Sequence, residues 1–435
     1  MVTQRKSSTV PGPEDIVRQE LPNGMVALVR ENFTSPAVVV QGYLLAGSVA
    51  EPDDKAGLAG FTASLLTRGT ENRTFEEINE TVEGVGASLD ISAGRHTARF
   101  HAKSLAEDLE LILDVLADVL RHPSFPPEHV EKVRGQWLTD LLERDHDTRR
   151  MASLTFRELT YPNHPYGRSL IGYHETVKAI DRGDVVSFYR HRYGPRGGVV
   201  VVVGAVKAEK ALALLERLFG DWFSEEGQEE VSLPPVPRLE AIRRKEVPMP
   251  GKTQTDIVLG WPGLSRTDPD FYTALLANTV LGQFGMYGRL GMNVREKQGL
   301  AYYCLSSLEA GQGPGPWYAF AGVNPANVQR AIESILAEMA RMREELVPEE
   351  ELNDSKAFLT GSLPLRLETN EGVAGALLEM ERYGLGLDYL QRYPDLIHAV
   401  SAAEVQAVAA KYFNPEAYAL ALAGPDLGQG KGGGG

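Results

Sequence analysis

Apolar residues recur along most of the chain at spacings that predict short strands and amphipathic helices in alternation. Ala37 to Leu45 is an apolar, β-branched run typical of a strand, and Val199 to Val203 is another. Between them the period becomes helical, most clearly in a long segment with apolar positions at Leu105, Leu109, Ile112, Leu113, Leu116 and Leu120. This mixture of strand and helix patterns predicts an α+β protein.

Two helix starts are predicted from side chains that can accept backbone amide hydrogens. Asp53 and Asp54 precede a helix expected to run through Thr67, and Ser104 with Glu107 has the spacing of a capping box ahead of the long helix. A further helix is expected to begin at Pro126-Pro127, because proline is favoured in a first helical turn, and its apolar face comprises Val130, Val133, Trp137 and Leu141.

The second half of the chain repeats the first. Residues 180–205 align with residues 400–425 at a constant offset, so that Asp184 lies against Glu404, and both segments read as helix, aromatic residue, proline, strand and glycine. Val38 to Tyr43 resembles Asp256 to Trp261 in the same way. We therefore predict two homologous domains, residues 17–224 and 251–425, joined by a Pro-rich linker over 225–250. Disorder is expected for the segment 1–16 and for the Gly-rich tail 426–435.

The stretch Gly285–Tyr303 carries the most suggestive chemistry. Met286, Leu290 and Val294 repeat at helical spacing up to a stop at Gly299, and a strand is expected from Leu300 to Leu305. A guanidinium at the helix end, Arg295, and a phenol on the strand, Tyr302, could then converge as two donors to a carbonyl or an oxyanion. An arginine that complements the helix dipole and a tyrosine that packs in the core are the structural alternatives.

Charge and composition exclude several functional classes. The net charge of −15, from 59 acidic and 44 basic residues, argues against a nucleic-acid partner. The single cysteine, Cys304, cannot form an intramolecular disulfide and reads as a small apolar strand residue. No apolar run reaches membrane-spanning length and the first 16 residues lack a secretory apolar region. We expect a cytoplasmic protein with no membrane partner, or a periplasmic one if a signal peptide has been removed.

The segment from Gly57 to Thr70 resembles the zinc helix of the M16 (pitrilysin-like) metallopeptidases, with a strand before it and Arg-Gly-Thr at its end. In that family the motif H-x-x-E-H places two imidazoles on one helical face to bind zinc, with a glutamate beside them as the base. The corresponding positions here are Gly60, Ala63 and Ser64, which offer neither a zinc ligand nor a base. The resemblance covers roughly residues 17–425. It implies the family's LuxS-like metallohydrolase fold, in which each domain is a mostly antiparallel sheet with helices packed on one face.

The resemblance places the family's third zinc ligand, a glutamate, at Asp140. Asp140 keeps a carboxylate that is one methylene shorter, and a solvated helix flank is the alternative interpretation. Asp145, His146 and Asp147 could also bind a metal, although a charged helix terminus is the simpler interpretation. We expect no metal and no other cofactor in this chain.

A second resemblance to the family lies in the C-terminal half. Val294 to Tyr302 matches the pattern R-E-K-x-G-L-A-Y, whose arginine and tyrosine contact the substrate carbonyl or the developing oxyanion in M16 peptidases. In the two-chain members, one subunit has H-x-x-E-H and the other supplies this pair. The resemblance therefore implies a non-zinc subunit of a heterodimer, with Arg295 and Tyr302 acting on peptide substrates at zinc expected in an H-x-x-E-H partner.

A non-enzymatic role is the competing hypothesis. Some members of the family persist as scaffold subunits, and Arg295 and Tyr302 would then be inherited residues without a reaction to serve. Such a protein could bind an extended peptide by strand addition at a sheet edge. Catalysis by an assembled pair, compared with and without Arg295 and Tyr302, distinguishes the two.

Overall fold

The computed structural model describes residues 10–224, 228, 231–236 and 238–426, which divide into two compact units. Neither unit is continuous in sequence. The first comprises residues up to Thr139 together with Ser169–Ser232 and Ser362–Arg392. The second comprises Asp140–Arg168, Leu233–Gly361 and the chain from Tyr393 onward. The continuous ranges 17–224 and 251–425 expected from the sequence do not include this exchange of segments.

Each unit is built on one sheet. The strands are β1 (Val17–Glu20), β2 (Val26–Glu31), β3 (Ala37–Leu44), β4 (Ser88–Ala93), β5 (Ala98–Leu105), β6 (Val199–Gly204), β7 (Arg243–Pro248), β8 (Thr255–Pro262), β9 (Ala301–Leu308), β10 (Pro316–Val323) and β11 (Ala419–Gly424). The first sheet has the order β1-β2-β6-β3-β5-β4 and the second β7-β11-β8-β10-β9. The pairs β2/β6 and β7/β11 are parallel and the other pairs antiparallel.

Helices fill the remainder of both units. They are α1 (Leu58–Leu65), α2 (Phe75–Gly84), α3 (Leu109–Arg121), α4 (Pro127–Asp145), α5 (Thr148–Thr160), α6 (His174–Ala179), α7 (Arg182–Arg192), α8 (Ala208–Phe219), α9 (Phe271–Asn278), α10 (Val328–Glu344), α11 (Glu349–Arg366), α12 (Asn370–Arg382), α13 (Tyr389–His398) and α14 (Ala402–Tyr412). Two π-helical segments, Thr279–Gln283 and Gly291–Lys297, lie between α9 and β9. Among the described helices none has the length and apolarity that a bilayer crossing requires.

The duplication predicted from sequence is confirmed by matching elements. β2, β6, β3, β5 and β4 occupy the same order in the first sheet as β7, β11, β8, β10 and β9 in the second. α7 and α14 begin after equivalent capping boxes, in which Asp181 and Ser401 each accept the amide of the residue three positions later. Both helices lead into fully buried strands, β6 and β11.

Each sheet is covered on both faces, and the second face receives a helix from the other half of the sequence. α12 packs on β3 and β6 of the first sheet, and α5 packs on β8 and β11 of the second. The alternation of side chains along a strand explains how both faces become apolar. Val38 and Val40 join the core formed with α1 and α3, whereas Gln41 on the opposite face bonds the Glu371 carbonyl in α12. Helices therefore pack on the second face as well as on the one predicted.

The predicted linker 225–250 ends in a strand. Arg243–Pro248 forms β7 because its backbone pairs in parallel with β11, as β2 does with β6. Positions 225–227, 229, 230 and 237 of the linker lie outside the described residues, as do 1–9 and 427–435 of the segments expected to be disordered. Within the N-terminal segment, Asp15 accepts the amide of Gly12 and a hydrogen bond from Arg30.

Both predicted helix caps are wrong. Asp53 and Asp54 form a separate short turn, and α1 begins after Gly57, whose φ of 99° lies in the left-handed region. Ser104 lies inside β5, and its hydroxyl donates to the carbonyl of Leu105. For Ser104, pairing with Val38 of β3 in the sheet overrides the local capping signal.

Candidate functional site

The helix in the zinc-helix position, α1, begins with a buried carboxylate. Glu51 is 4% exposed, and its two oxygens accept the amides of Gly57 and Ala59 at 3.1 and 3.0 Å. A carboxylate at the first turn satisfies free amides and complements the helix dipole. The sequence interpretation assigned this role to Asp53 and Asp54. Glu51 thus fixes the start of the helix that carries Gly60, three residues after Gly57.

The three motif positions on α1 provide no metal ligands. Ala63 is buried, and the Ser64 hydroxyl donates to the carbonyl of Gly60 at 3.0 Å. This bond within the helix turn directs the hydroxyl hydrogen to the backbone. Gly60 contributes no side chain. The donor set therefore does not fit zinc, which requires imidazole, thiolate or carboxylate ligands.

The space beside Gly60 is filled by the indole of Trp137, on α4. A Cβ at position 60 would lie 2.6 Å from Cη2 of Trp137 and 3.3 Å from Cζ2. Phe61 packs edge-on to the same indole, with ring centroids 5.7 Å apart. An imidazole at position 60 would therefore collide with Trp137. Trp137 appeared in the sequence only as one member of an apolar helix face, and no sequence signal pairs it with Gly60.

Asp140 lies on the exposed surface of α4. That Asp140 could act as a metal ligand stays a prediction, and no cluster of further ligands supports it. Within residues 10–224, 228, 231–236 and 238–426, no three His, Cys, Asp or Glu side chains lie close enough to hold a metal ion.

Arg295 is carried by the wide π-helical segment Gly291–Lys297, where the sequence predicted an ordinary helix. The amide of Gln298 donates to the Asn293 carbonyl at 3.1 Å, a five-residue step. Gly299 ends the segment with a φ of 61°, as a C-terminal glycine should. The Arg295 side chain is 42% exposed and lies 3.5 Å from the Glu296 carboxylate. Such exposed ion pairs contribute little to stability, and π-helical turns occur frequently at functional sites.

Buried polar contacts hold this segment in place. Arg289, just before it, is 7% exposed and donates two parallel bonds to Glu351 on α11 at 2.8 and 2.7 Å. Asn293 donates to Glu338 on α10, a carboxylate that is 3% exposed, at 2.5 Å. Bidentate guanidinium–carboxylate pairs restrict geometry as well as adding energy. Arg295 is therefore an exposed side chain on a firmly held support.

Tyr302 lies at an irregularity in β9, an edge strand of the second sheet. Gly322 of β10 faces Tyr303 while Val323 faces Ala301, so Tyr302 is the extra residue of a β-bulge. Its side chain is 84% exposed. Bulges re-aim side chains and are common beside active sites. The exposure excludes the core-packing alternative for this tyrosine.

Arg295 and Tyr302 are thus presented to solvent from neighbouring elements, since the π-helical segment packs against β9. Cys304, two residues further along the strand, is 1% exposed, and burial raises the pKa of its thiol to about 12. Cys304 is therefore a packing residue and offers no nucleophile to this surface.

Two family models match the chain. The model described as insulinase (peptidase family M16) matches residues 26–173, and the model of the peptidase M16 inactive domain matches residues 179–359. Gly60, Ala63 and Ser64 fall in the first range, and Arg295 and Tyr302 fall in the second.

Similar proteins cover nearly the whole chain. The uncharacterized zinc protease YmxG of Bacillus subtilis is 26% identical over 416 residues, 94% of this chain and 98% of the relative. The mitochondrial-processing peptidase subunit beta of Saccharomyces cerevisiae is 27% identical over 381 residues, covering 84% and 81%. An uncharacterized zinc protease of Mycobacterium leprae is 29% identical over 419 residues, covering 94% and 92%.

Solved structures share the fold. The peptidase M16 inactive domain from Pseudomonas fluorescens superposes with a TM-score of 0.88 at 24% identity, covering 95% of this chain and 98% of that one. A protease from Helicobacter pylori gives 0.86 at 21% identity, covering 94% and 99%. These likenesses confirm the predicted α+β fold class.

Proposed function

The chain belongs to the M16 peptidase family, and we propose that it is the non-zinc subunit of a two-chain peptidase. In this role Arg295 and Tyr302 bind the carbonyl or developing oxyanion of a peptide at the zinc site of an H-x-x-E-H partner. The observation that carries the proposal is a contrast within one chain. The metal position at Gly60 is filled by an indole, while Arg295 and Tyr302 stay exposed on supported elements.

The indole of Trp137 fills the space beside Gly60, so side-chain packing opposes zinc binding in addition to the missing ligands. Restoring ligands by substitution at Gly60 alone would still leave Trp137 2.6 Å from the new Cβ. A chain that packs this position closely has no cavity left for a metal. Hydrolysis therefore requires a second chain, and the names of the zinc protease relatives support peptide hydrolysis as the reaction of the assembly.

The chemistry of the pair suits an oxyanion. A guanidinium is a cationic donor, and a tyrosine hydroxyl is a neutral one. Donors aimed at charge that grows in the transition state accelerate acyl transfer, by about 10²–10³ in kcat for each donor. An exposed tyrosine on an edge strand has no packing role to explain it. The exposed side chain of Tyr302 is therefore accessible to a ligand, as the proposed role requires.

The test is reconstitution. The chain is purified alone and together with a co-expressed M16 subunit that carries H-x-x-E-H, and each sample is assayed for bound zinc, for complex size and for peptide cleavage. We expect the isolated chain to be inactive and zinc-free, and the pair to form a complex that cleaves peptides. Stoichiometric zinc or peptidase activity in the isolated chain would overturn the proposal.

A scaffold role is the other outcome of the same experiment. The partner is assayed with the wild-type chain and with the double variant Arg295→Ala/Tyr302→Phe. Equal cleavage by the two complexes would show that this chain supports the partner without contacting the reacting peptide.

A further inference from the structure

We propose that a row of three residues across the second sheet, Asp256, Gly322 and Tyr303, positions Tyr302 for its substrate. The inference rests on the proposed function, because it assumes that Tyr302 touches the peptide. Asp256, Gly322 and Tyr303 are positioning residues, and they act through the register of β9.

The row crosses three strands. Gly322 on β10 pairs with Asp256 on β8 at one side and with Tyr303 on β9 at the other. Adjacent strands are about 4.8 Å apart, so Tyr303 reaches across roughly 10 Å of sheet to meet Asp256. Its hydroxyl donates to Oδ1 of Asp256. The ring crosses directly above Gly322, where a Cβ would lie only 2.7 Å from Cε1 of Tyr303. Glycine in the middle strand is what allows the contact.

Asp256 is a fixed acceptor. It is 2% exposed, and its Oδ2 accepts the hydroxyl of Thr148 at 2.5 Å and the amide nitrogen Nε2 of Gln254 at 3.1 Å. A buried carboxylate is tolerated only when its oxygens are satisfied in this way. Thr148 belongs to the first turn of α5, so the helix that covers this face of the sheet also fixes the acceptor.

Tyr303 is held as a protonated donor. Burial, and then the hydrogen bond to Asp256, raises the pKa of its phenol. The guanidinium of Arg149, the residue after Thr148, lies 5.2 Å from the ring centroids of both Tyr303 and Phe320. A cation over the ring face adds attraction without competing for the hydroxyl. The ring is therefore fixed at its hydroxyl end and at its face.

The positioning follows from the period of a strand. Tyr302 and Tyr303 are chemically identical neighbours, and a one-residue slip of β9 would exchange the face to which each side chain points. The bulge at Tyr302 lies at the point where such a slip would begin, and β9 is an edge strand with a partner on one side only. In the observed register the hydroxyl of Tyr303, with its ring held by Arg149, occupies the Asp256 acceptor. The latch formed by Asp256, Gly322 and Tyr303 thus holds Tyr303 on the covered face and leaves Tyr302 facing solvent.

The first test uses the full chain by itself. Tyr303→Phe removes the hydroxyl and keeps the ring, and Tyr318→Phe is its matched control. Tyr318 on β10 likewise donates to a carboxylate, Glu309, at 2.9 Å from the same face of the sheet. We expect amide hydrogen exchange over 300–304 to accelerate about tenfold in Tyr303→Phe, the effect of losing one hydrogen bond to a charged group, and to stay unchanged in Tyr318→Phe. Equal acceleration in both variants, or none in Tyr303→Phe, would overturn the latch.

Chemical mapping tests the register itself. Nitration with tetranitromethane, followed by peptide mass analysis, should modify the exposed Tyr302 and spare Tyr303 in the wild-type chain. Asp256→Ala should make Tyr303 reactive, whereas Asp256→Asn, whose amide oxygen can still accept the hydroxyl, should largely preserve the wild-type pattern. An Asp256→Ala chain that keeps the wild-type pattern would contradict a role of Asp256 in holding Tyr303 and the register of β9.

The second test uses the reconstituted pair and a double-mutant cycle. If Tyr303 acts through Tyr302, Tyr303→Phe lowers kcat/KM in the wild-type chain and has less than a twofold effect in the Tyr302→Phe background. Multiplicative losses would mean that Tyr303 acts independently. If Tyr302→Phe itself leaves cleavage unchanged, the proposed function fails, while hydrogen exchange and nitration still decide whether the latch sets the register.

Discussion

The Cη2 atom of Trp137 lies 2.6 Å from the point where any side chain on Gly60 would begin. Gly60 is the third residue of α1, and glycine within a helix ordinarily weakens it relative to alanine. The chain therefore carries a helix-weakening residue at a place where only that residue fits. The packing of the indole, together with the absent ligands, distinguishes this chain from one that carries H-x-x-E-H on the same helix.

Gly60→Ala should destabilise the protein even though alanine favours helices. Overpacking costs about 1–3 kcal/mol, which exceeds the helix-propensity gain of about 1 kcal/mol. Gly135→Ala is the matched control, because Gly135 lies in α4 with no atom within 4 Å of its added Cβ. It should stabilise by about 0.5–1 kcal/mol. Urea unfolding of both variants checks the two signs, and a Gly60→Ala chain as stable as Gly135→Ala would show that Trp137 moves aside freely.

Breaking the Arg157–Glu309 pair should loosen α5 from the second sheet. Nη2 of Arg157 donates to both oxygens of Glu309 at 2.6 Å, and the side chains are 21% and 37% exposed. A fully buried pair costs 3–5 kcal/mol to break, and partial exposure reduces the expected loss for Arg157→Met to about 1–2 kcal/mol. Thermal unfolding measures it.

The control for that variant is Arg244→Met. Arg244 pairs with Glu246 at 2.7 Å on the edge strand β7, and both side chains are more than two-fifths exposed. We expect a change within about 0.5 kcal/mol. Equal losses in the two variants would mean that the burial of Arg157 adds nothing.

Asp118 makes stability depend on pH. It is 5% exposed and accepts hydrogen bonds from Thr70, Asn72 and Arg73 at 2.6–2.7 Å. Burial alone would raise the pKa of Asp118, but these bonds outweigh it and lower the pKa below its ordinary value. A carboxylate with a depressed folded-state pKa stabilises the protein above its unfolded pKa of about 3.9, and this stabilisation is lost as the pH falls through the lower folded value.

The stability difference between wild type and Asp118→Asn should therefore be about 2 kcal/mol at pH 7, stay constant down to about pH 5, and shrink below pH 4. Urea unfolding of both chains across this range provides the measurement. Because other carboxylates titrate in both chains, the difference isolates Asp118. A difference that grew on acidification would have the wrong sign for this network.

Arg295→Ala should lower the kcat of the reconstituted pair more than it raises KM. A contact that strengthens as the oxyanion forms contributes to the transition state rather than to ground-state binding, and its removal costs about 10²–10³ in kcat. Lys297→Ala is the matched control, since Lys297 is an exposed cation on the same π-helical segment. It should change kcat less than twofold. Equal losses from both variants would indicate a general effect of positive charge.

Much of the fold could be predicted from the sequence because corresponding elements of the two halves show the same pattern of residues. Asp181 and Ser401 cap equivalent helices, and the strands that follow are buried throughout. The proline pair at 126 and 127 predicted the start of α4, which begins at Pro127. The exchange of α5 and α12 could not be predicted, since amphipathic periodicity shows that a helix has an apolar face and says nothing about which sheet receives it.

The sequence nominated the residues of the candidate site but could not predict their geometry. Arg295 and Tyr302 were identified by spacing and resemblance, but the π-helical turn and the bulge depend on tertiary contacts such as Arg289 with Glu351. Asp256 left one overlooked signal, a carboxylate within an otherwise apolar strand. The Trp137–Gly60 contact left none, because it joins two helices far apart in sequence.

Because α12 packs on the first sheet but comes from the second half of the sequence, the nascent chain contains that sheet well before the helix that covers its second face. All strands of the first sheet exist once β6 has been synthesised, but α12, which covers that sheet's second face, begins at Asn370, 166 residues after Gly204 at the end of β6. At about 5–20 residues per second, the apolar face stays bare for on the order of ten seconds or more. Neither half of the duplication can therefore mature as an independent module. A truncated chain would carry an uncovered sheet, which makes chaperone capture and aggregation the expected fate of incomplete synthesis.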